Sequence, residues 1–229
     1  MTRFNSSENG NILFYVLIGI VLVGLLTVAL RNTSGYKENI DSEGMVLKSS
    51  EIQRYGDELA RAVNILMDKK VSEADIRFAH PDASSDYGTI TTNPGNQIFS
   101  TQGGQATYKL PPAGISDGSP WEFFATSKIP QVGSDRAELI AVLPHVTQSF
   151  CQTINSQLGF TSGTQPTDDA AGSPACVMGS SSNRFTGSYS DTSPNPLDGA
   201  SFSKLPAYQA CVYCASSSTY NYYYVLLSR

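Results

Sequence analysis

Nineteen consecutive residues near the N-terminus, from Ile12 to Leu30, include no charged side chain and no strongly polar group. A helix of this length extends about 28 Å, close to the hydrocarbon thickness of a bilayer. Its apolar residues occur on every side and not along one stripe, which argues against an amphipathic core helix. A cleaved secretory signal is the alternative, with Thr27 and Ala29 as small residues before a cleavage point, but the apolar run is long for one. The segment predicts a transmembrane helix over residues 11–31.

The cysteines indicate which side of the membrane the remaining chain occupies, because the basic residues do not. Arg3 precedes the apolar segment while Arg31 and Lys37 follow it, so the positive-inside rule gives no orientation. All four cysteines lie beyond the segment, and an even number predicts two disulfides in an oxidising compartment. We therefore expect a single-pass protein of the bacterial inner membrane, with residues 1–10 as a cytoplasmic leader. The C-terminal domain would be periplasmic or extracellular.

The charge distribution argues against a nucleic-acid partner. The 229-residue chain has a net charge of −5 and a pI near 5.0. Residues 1–71 contain eight basic and eight acidic residues, and residues 72–229 contain seven basic and twelve acidic residues, so the acidic excess is distal. The sequence offers no cluster of Lys and Arg that would attract a phosphate backbone.

A second, amphipathic helix is predicted after the apolar segment. Glycines and polar residues first predict a linker over residues 32–44. From Met45 to about Asp68, apolar residues then recur three to five positions apart, with charged residues on the other faces. The apolar stripe consists of Leu47, Ile52, Tyr55, Leu59, Val63 and Leu66. We expect this helix to pack on an exported head domain that covers residues 45–229.

The rest of the head combines strand-like runs with one helix. Pro144 suits a first helical turn, and the periodicity predicts a helix from there to Leu158, ended by Gly159. Strand candidates are Gly88–Thr91, Gln97–Ser100, Thr107–Leu110, Trp121–Ile129 and Glu138–Leu143, the last also compatible with a helical turn. Residues 161–207 are polar and predict a long surface loop region.

The distal end of the sequence predicts a terminal β-hairpin, from Tyr208–Ser216 and Tyr220–Ser228. We expect one face of its tyrosine-rich strand in the core and the other at the surface. The predicted fold class is α+β. It has a long N-terminal hydrophobic helix, then a second amphipathic helix packed on an antiparallel β-rich head with disulfides.

The four cysteines, Cys151, Cys176, Cys211 and Cys214, allow three disulfide connectivities. We favour Cys151–Cys176, with Cys211 and Cys214 either bonded to each other or exchanged with that pair. A bond between residues i and i+3 of one extended strand would be strained. Either the strand bends, or the connectivity is crossed and joins Cys151 and Cys176 to Cys211 and Cys214.

The sequence predicts neither a catalytic residue nor a cofactor nor a metal ligand. A redox-active pair at Cys211 and Cys214 would require a helix N-terminus, and the surrounding residues favour a strand. A zinc site would require a second close cysteine pair. His80 and His145 lie beside prolines in ordinary loop or helix-start positions, without a nucleophile or metal motif. Asp168–Asp169 lacks the alternating oxygen ligands of a calcium loop. The sequence therefore favours a role other than enzyme.

The overall arrangement resembles type IV pilins and pseudopilins. A short polar leader ends at Gly10, an apolar helix begins at once with Asn11-Ile12-Leu13-Phe14, and an amphipathic helix leads to a β-rich head with cysteines. The sequence also resembles a group of uncharacterised pilin-like bacterial membrane proteins. The shared features are the GNILFYVLIG opening, the EIQRYGDELARAV helix, the ELIAVLPHV segment and the YYYVLLSR ending.

This resemblance implies that a prepilin peptidase cleaves after Gly10 and that the mature chain begins at Asn11. It also implies that the apolar helices bundle in the core of a filament. Most pilins have a glutamate at the fifth mature position, which is thought to pair with a neighbouring N-terminus; here that position is Tyr15. Some minor pseudopilins lack the glutamate too.

Three functional hypotheses follow. The first is a structural or assembly subunit of a surface or secretion-type filament, which associates with itself or with other pilin-like subunits through the N-terminal helix. The second is a stand-alone membrane-anchored binding protein of the periplasm or cell surface that does not polymerise. The third is an exported thiol–disulfide enzyme that uses Cys211 and Cys214.

Overall fold

The computed structural model describes residues 10–31, 34–161, 165–168, 176–177 and 183–229. The chain divides into two compact units, residues 1–44 and residues 45–229. Within the two N-terminal helices, side chains are described from Phe14 to Val28 and from Ser42 onwards. The predicted leader, apart from Gly10, lies outside the described residues.

The first unit contains helix α1, Gly10–Arg31. Its described side chains are predominantly large and apolar, and they are exposed. Over the described residues, the structure has no helix that is both long enough and apolar enough to cross a membrane. The transmembrane helix predicted over residues 11–31 is therefore not found in that part of the chain. The long N-terminal hydrophobic helix of the predicted fold class is likewise not found over the described residues, since the side chains of α1 are described only from Phe14 to Val28.

Helix α2, Ser34–Asp68, begins within the region predicted as a linker. Residues 32 and 33 lie outside the described residues, and residues 34–44 are helical, so the linker prediction is wrong over that range. Gly44 does not interrupt the helix, since one glycine costs only about 1 kcal/mol relative to alanine. The predicted end at Asp68 is confirmed.

The apolar stripe of α2 forms one wall of the head's core, as predicted, except at Leu47. The five buried members, each at most 2% exposed, are Ile52, Tyr55, Leu59, Val63 and Leu66. Leu47 is 72% exposed. It precedes Ile52 by five positions, which turns it about 140° around the helix and away from the stripe.

The described residues form a five-stranded mixed sheet, a separate two-stranded sheet and a third helix. The strands are β1 Glu122–Phe124, β2 Ser127–Lys128, β3 Leu139–Val146, β4 Thr167–Asp168, β5 Asn195–Pro196, β6 Gln209–Cys214 and β7 Thr219–Leu227. The larger sheet has the order β1-β3-β7-β6-β4, antiparallel except for the parallel β4–β6 pair. Strands β2 and β5 pair in parallel. The predicted α+β class and terminal hairpin are confirmed.

Both faces of the larger sheet are covered. Tyr222 and Tyr223 are adjacent on β7, and both side chains are fully buried. Successive side chains of a strand point to opposite faces. Tyr222 packs in the core with α2 and α3, while Tyr223 packs against Phe160, Leu197 and other residues of the polar region. The expectation that one tyrosine face stays at the surface is therefore wrong, because this region supplies a second apolar layer.

Several other predicted elements differ from the observed ones in their bounds or type. Pro144 and His145 belong to β3, where the register with β7 shifts between Leu143 and Val146, so the third helix, α3, starts only at Gln148. It ends at Leu158 with Gly159 in the left-handed conformation, as predicted. The aromatic run predicted as one strand is divided into β1 and β2. The three earlier candidates are not strands: Gly88–Thr91 and Gln97–Ser100 contain turns, with one isolated bridge from Gln97 to Arg77, and Thr107–Leu110 has no regular structure.

Asn155 on α3 completes the hydrogen bonding of strand β6. Its Nδ2 donates to the Cys211 carbonyl at 2.8 Å, and the Cys211 N–H donates to its Oδ1 at 2.8 Å. The side-chain amide thus occupies the place of a neighbouring strand, which satisfies two buried backbone groups at once. Asn155 is 4% exposed, so the pairing also fixes α3 against the sheet.

Gly56 is required where α2 approaches β7. A Cβ at this position would overlap the ring of Tyr224. We expect Gly56→Ala to destabilise the head by about 1–3 kcal/mol, because the overlap outweighs the roughly 1 kcal/mol gained in helix propensity.

Gly44→Ala is the matched control on the same helix, since nothing lies within 4 Å of a Cβ there. It should leave stability unchanged or raise it. Urea unfolding followed by circular dichroism measures both. Equal stability of the two variants would contradict the close approach at Gly56.

Candidate functional site

The described part of α1 presents an exposed apolar surface on all sides. Twelve large apolar side chains are at least 40% exposed: Phe14, Tyr15, Val16, Leu17, Ile18, Ile20, Val21, Leu22, Val23, Leu25, Leu26 and Val28. A helix that is apolar all round is stable only when lipid or protein covers it. Gly10 and Asn11 are the first two residues of this helix. Tyr15 is 65% exposed on the same surface.

The two disulfides lie on opposite faces of the larger sheet. Cys151 on α3 bonds to Cys211, with 5.2 Å between their Cα atoms, and Cys176 bonds to Cys214, with 5.6 Å. The Cys151–Cys211 pair is buried in the core that contains the apolar stripe of α2. The Cys176–Cys214 pair is buried in the second apolar layer, which contains Tyr223. Residues i and i+3 of a strand point to opposite faces, so Cys211 and Cys214 cannot face one another. The favoured Cys151–Cys176 pairing is therefore wrong, and the crossed alternative is confirmed.

Each disulfide should contribute substantially to stability, since the bonded cysteines are 60 and 38 residues apart. Loop-closure entropy gives about 4 kcal/mol for each. We expect Cys151→Ala/Cys211→Ala to lower the free energy of unfolding by about that amount, measured by urea denaturation without reductant.

The matched control is Cys151→Ala/Cys214→Ala, which leaves Cys176 and Cys211 on opposite faces. It should lose both bonds and be less stable than the first variant. Peptide mapping without reduction should recover the two crossed links from the native chain. A Cys211–Cys214 link would contradict the structure.

The histidines and the acidic pair do not assemble into a catalytic or metal-binding group in the described residues. The His80 ring stacks on Tyr108 at 4.2 Å between centroids, and His145 Nδ1 lies 2.9 Å from Asp117 Oδ2. Asp168 is buried in β4, and its predicted partner Asp169 lies outside the described residues. No group of three or more His, Cys, Asp or Glu side chains suited to a metal ion occurs in the part of the chain described.

A groove of about 830 Å³ follows the outer face of α2. Its floor is a stripe of this helix from Leu47 to Ile65, and the segment Gly104–Lys109 forms one side. We call it the α2 groove. The helix residues that line it are Leu47, Ser50, Glu51, Arg54, Tyr55, Asp57, Glu58, Arg61, Ala62 and Ile65.

Two carboxylates of the α2 groove are already engaged within the head. Asp57 Oδ1 accepts a hydrogen bond from the Tyr224 hydroxyl at 2.5 Å. Glu58 accepts from the Thr107 N–H at 2.8 Å and pairs with Lys109 Nζ at 2.6 Å. Burial raises the pKa of Glu58, but these partners outweigh it and hold the pKa below its usual range.

The remaining charges of the α2 groove are available to a partner. Arg54, Arg61 and Glu51 are exposed, and in the described residues none of them forms a hydrogen bond or salt bridge. Arg54 and Arg61 are two helical turns apart, about 10.5 Å along the axis. The groove therefore presents two guanidinium groups, a carboxylate and the exposed Leu47 side chain.

Glu138 is a buried carboxylate that sequence reasoning missed, because it begins an apolar strand-like run. Its Oε2 accepts the Ile129 N–H at 2.9 Å, and its Oε1 has no hydrogen-bond partner in the described residues. Burial raises the pKa of Glu138 to about 7, although Lys128 and Arg229 oppose the shift. A Cβ at Gly133 would lie 2.9 Å from Oε1, so the loop between β2 and β3 passes close to this carboxyl group.

Glu138 should make stability pH-dependent between about pH 4.5 and pH 7. In this window the folded state keeps a proton that the unfolded state, with an ordinary pKa of 4.5, releases. Stability therefore falls as pH rises through the window, by up to about 3 kcal/mol, and the contribution is constant above it.

Glu138→Gln keeps an acceptor for Ile129 and removes the titration. Relative to the native protein, we expect the variant to gain up to about 3 kcal/mol between about pH 4.5 and pH 8 in urea unfolding. Glu51→Gln, at an exposed carboxylate, is the control and should show no such gain. Parallel pH profiles of Glu138→Gln and the native chain would contradict a raised pKa.

Comparison with known proteins adds no assignment to these features: no family model, no curated protein and no solved structure matches the chain.

Sequence reasoning identified the apolar helix and the cysteines. It placed the charged residues of α2 on the faces away from the apolar stripe and did not identify the α2 groove, because the wall at Gly104–Lys109 comes from a distant part of the sequence.

Proposed function

We propose that the protein is a pilin-like, single-pass membrane subunit that displays an α+β head outside the cytoplasm and assembles through its N-terminal helix. The observation that carries the proposal is the exposed apolar surface of α1. Such a surface is costly in water, at about 25 cal/mol per Å² of apolar area, so lipid or neighbouring helices must cover it. The sequence also supports the proposal, since the nineteen uncharged residues Ile12–Leu30 would extend about 28 Å as a helix, close to the hydrocarbon thickness of a bilayer.

The disulfides support an extracytoplasmic head. Two disulfides occur, and every cysteine of the chain takes part in one of them. Disulfides persist in oxidising compartments and are rare in the cytosol of mesophiles. An apolar N-terminal helix before such a head supports an inner-membrane anchor with the head in the periplasm or at the cell surface.

A structural role accounts for the cysteines better than thiol–disulfide exchange. Cys211 and Cys214 are bonded to different partners, and both are at most 1% exposed. Exchange requires an accessible sulfur and an attacking thiolate. The proposal therefore assigns these residues to holding the head together during export and assembly.

Processing of the N-terminus distinguishes an assembling subunit from a stand-alone anchored binding protein. If a prepilin peptidase acts on this chain, mass spectrometry of the protein from its native membrane should give a mature chain that starts at Asn11. Gly10→Leu should abolish cleavage, and Gly19→Leu, at a glycine beyond the site, should leave it intact. An intact Met1 in the native protein would overturn the pilin-like assignment.

Membrane anchoring is tested in the same preparations by alkaline carbonate extraction. The native chain should remain with the membrane pellet, and Leu22→Arg should release it, since Arg costs about 3 kcal/mol at the centre of a membrane helix. Leu22→Ile is the control. Release of the native chain by carbonate would overturn the anchor itself.

A further inference from the structure

The loop between β2 and β3 passes over a fully buried carboxyl group. Glu138, the residue before β3, is 0% exposed, and its own N–H donates to the Ser127 carbonyl at 3.0 Å. Its Oε2 accepts the Ile129 N–H at 2.9 Å, whereas its Oε1 has no hydrogen-bond partner in the described residues. One oxygen is therefore held in place, and the other lacks a donor that would stabilise a negative charge.

The segment over this carboxyl group consists of residues 131–135, which we call the Gly133 loop. In the described part of the chain, two backbone hydrogen bonds attach it. The Val132 N–H donates to the Ile129 carbonyl at 3.2 Å, and the Ser134 N–H donates to the Arg229 carbonyl at 2.5 Å. Val132 is the buried member, and residues 133–135 are exposed. The loop is therefore a thin layer between Glu138 and water.

Gly133 allows the loop to lie this close. Its φ is +60°, and a Cβ there would lie 2.3 Å from the Arg229 carbonyl oxygen and 2.9 Å from Glu138 Oε1. Only glycine adopts this conformation in this space without strain. The loop backbone is thus in close contact with the oxygen that has no donor.

We propose that the Gly133 loop is a pH-sensitive switch, closed over Glu138 while this carboxyl group is protonated and opened when it ionises. Displacement of the loop is the direct route by which water reaches Oε1, since the outer side of the loop is exposed. Opening also uncovers Ile129 and Val132, which are buried in the second apolar layer. This inference goes beyond the proposed function, because it rests on the head alone and requires neither a membrane nor a filament.

Two cations lie near Glu138, and both are already paired. Lys128 on β2 pairs with Asp135, and the Arg229 guanidinium pairs with two carboxylates from other segments. Burial raises the pKa of Glu138 to about 7 against the opposing effect of both cations. Neither cation therefore neutralises the ionised carboxylate while the loop is closed.

The remaining ionisable neighbours do not supply a donor either. Burial, and then the charge of Glu138, raise the pKa of Tyr223 on β7 well above 10. Its hydroxyl therefore stays protonated, and it donates to the Ala207 carbonyl at 2.8 Å. Arg136, the next residue along from the loop, is exposed to water.

The direction of the pH dependence follows from linkage. In the open loop, Glu138 is solvated and returns to its ordinary pKa of 4.5, so opening releases a proton at pH values between about 4.5 and 7. The equilibrium constant for opening should therefore rise about tenfold per pH unit in this window, about 300-fold in all. Above the window it should stay constant.

Hydrogen exchange of the Val132 and Ser134 amides tests the switch, because opening breaks both of their hydrogen bonds. The measurement is NMR of the full chain in non-ionic detergent, with rates corrected for the intrinsic pH dependence of exchange. In the native chain, we expect the opening constant at both amides to rise about a hundredfold from pH 5 to pH 7 and to level off by pH 8. Glu138→Gln should give a flat profile, and Glu51→Gln, at an exposed carboxylate, should follow the native chain.

Urea at about 1 M separates local opening from unfolding of the head. A local opening exposes little surface, so exchange in the loop should barely respond, whereas exchange of the paired amides of β3 and β7 should accelerate. Gly133→Ala should open the loop at every pH, because its Cβ would overlap the Arg229 carbonyl. Gly118→Ala is its control, at another positive φ with nothing within 4 Å of a Cβ.

Three results would overturn the switch. They are native opening constants that do not change between pH 5 and pH 7, an equal rise in Glu138→Gln, or loop amides with the same urea dependence as those of β3 and β7. These outcomes leave the membrane-anchored assembly untouched. Conversely, an intact Met1 or carbonate release would remove the pilin-like assignment while the exchange series still tests the loop.

Discussion

Burial of β6 and β7 on both faces is the constraint on which the rest of the head depends. A sheet with two covered faces needs two apolar layers, and here α2 and α3 provide one while the region after Phe160 provides the other. Where the structure describes it, the second layer contains little regular structure, and its sequence is rich in polar residues. It is held by Cys176–Cys214, by the Tyr223 hydroxyl, which donates to the Ala207 carbonyl at 2.8 Å, and by packing of Phe202 and Leu197.

The Cys-x-x-Cys spacing on β6 follows from this two-sided burial. Because residues three apart on a strand point to opposite faces, one strand can be fastened to both layers. Cys211 connects it to α3, where Asn155 already pairs with the same residue's backbone. Cys214 connects it to the irregular layer. In a reducing compartment the irregular layer would lose its covalent attachment, so the fold itself is suited to an oxidising one.

The parts of the head that could be predicted from the sequence are those held by interactions between residues close together in the chain. The stripe of α2 and the end of α3 at Gly159 follow local periodicity and local backbone preference, and both were predicted. The hairpin was predicted for the same reason. Pro144 was placed in a helix because its immediate neighbours permit one, yet pairing with β7 keeps it in a bulged strand. The disulfide connectivity depended on which face of β6 each layer covers, and no local signal contains that information.

The dependence on distant residues also explains why the sequence did not indicate the α2 groove. A sequence of alternating acids and bases on a helix normally pairs with itself, Glu to Arg three or four residues on. In this head Glu58 bonds to Lys109 and Thr107, and Asp57 accepts a hydrogen bond from Tyr224. Neither carboxylate therefore forms a salt bridge with the neighbouring Arg54 or Arg61. The contacts that close the head therefore also determine its surface charge. A change at Lys109 that removed its pairing with Glu58 would free this carboxylate to pair with Arg54 or Arg61, and the charge presented by the α2 groove would change although neither arginine had changed.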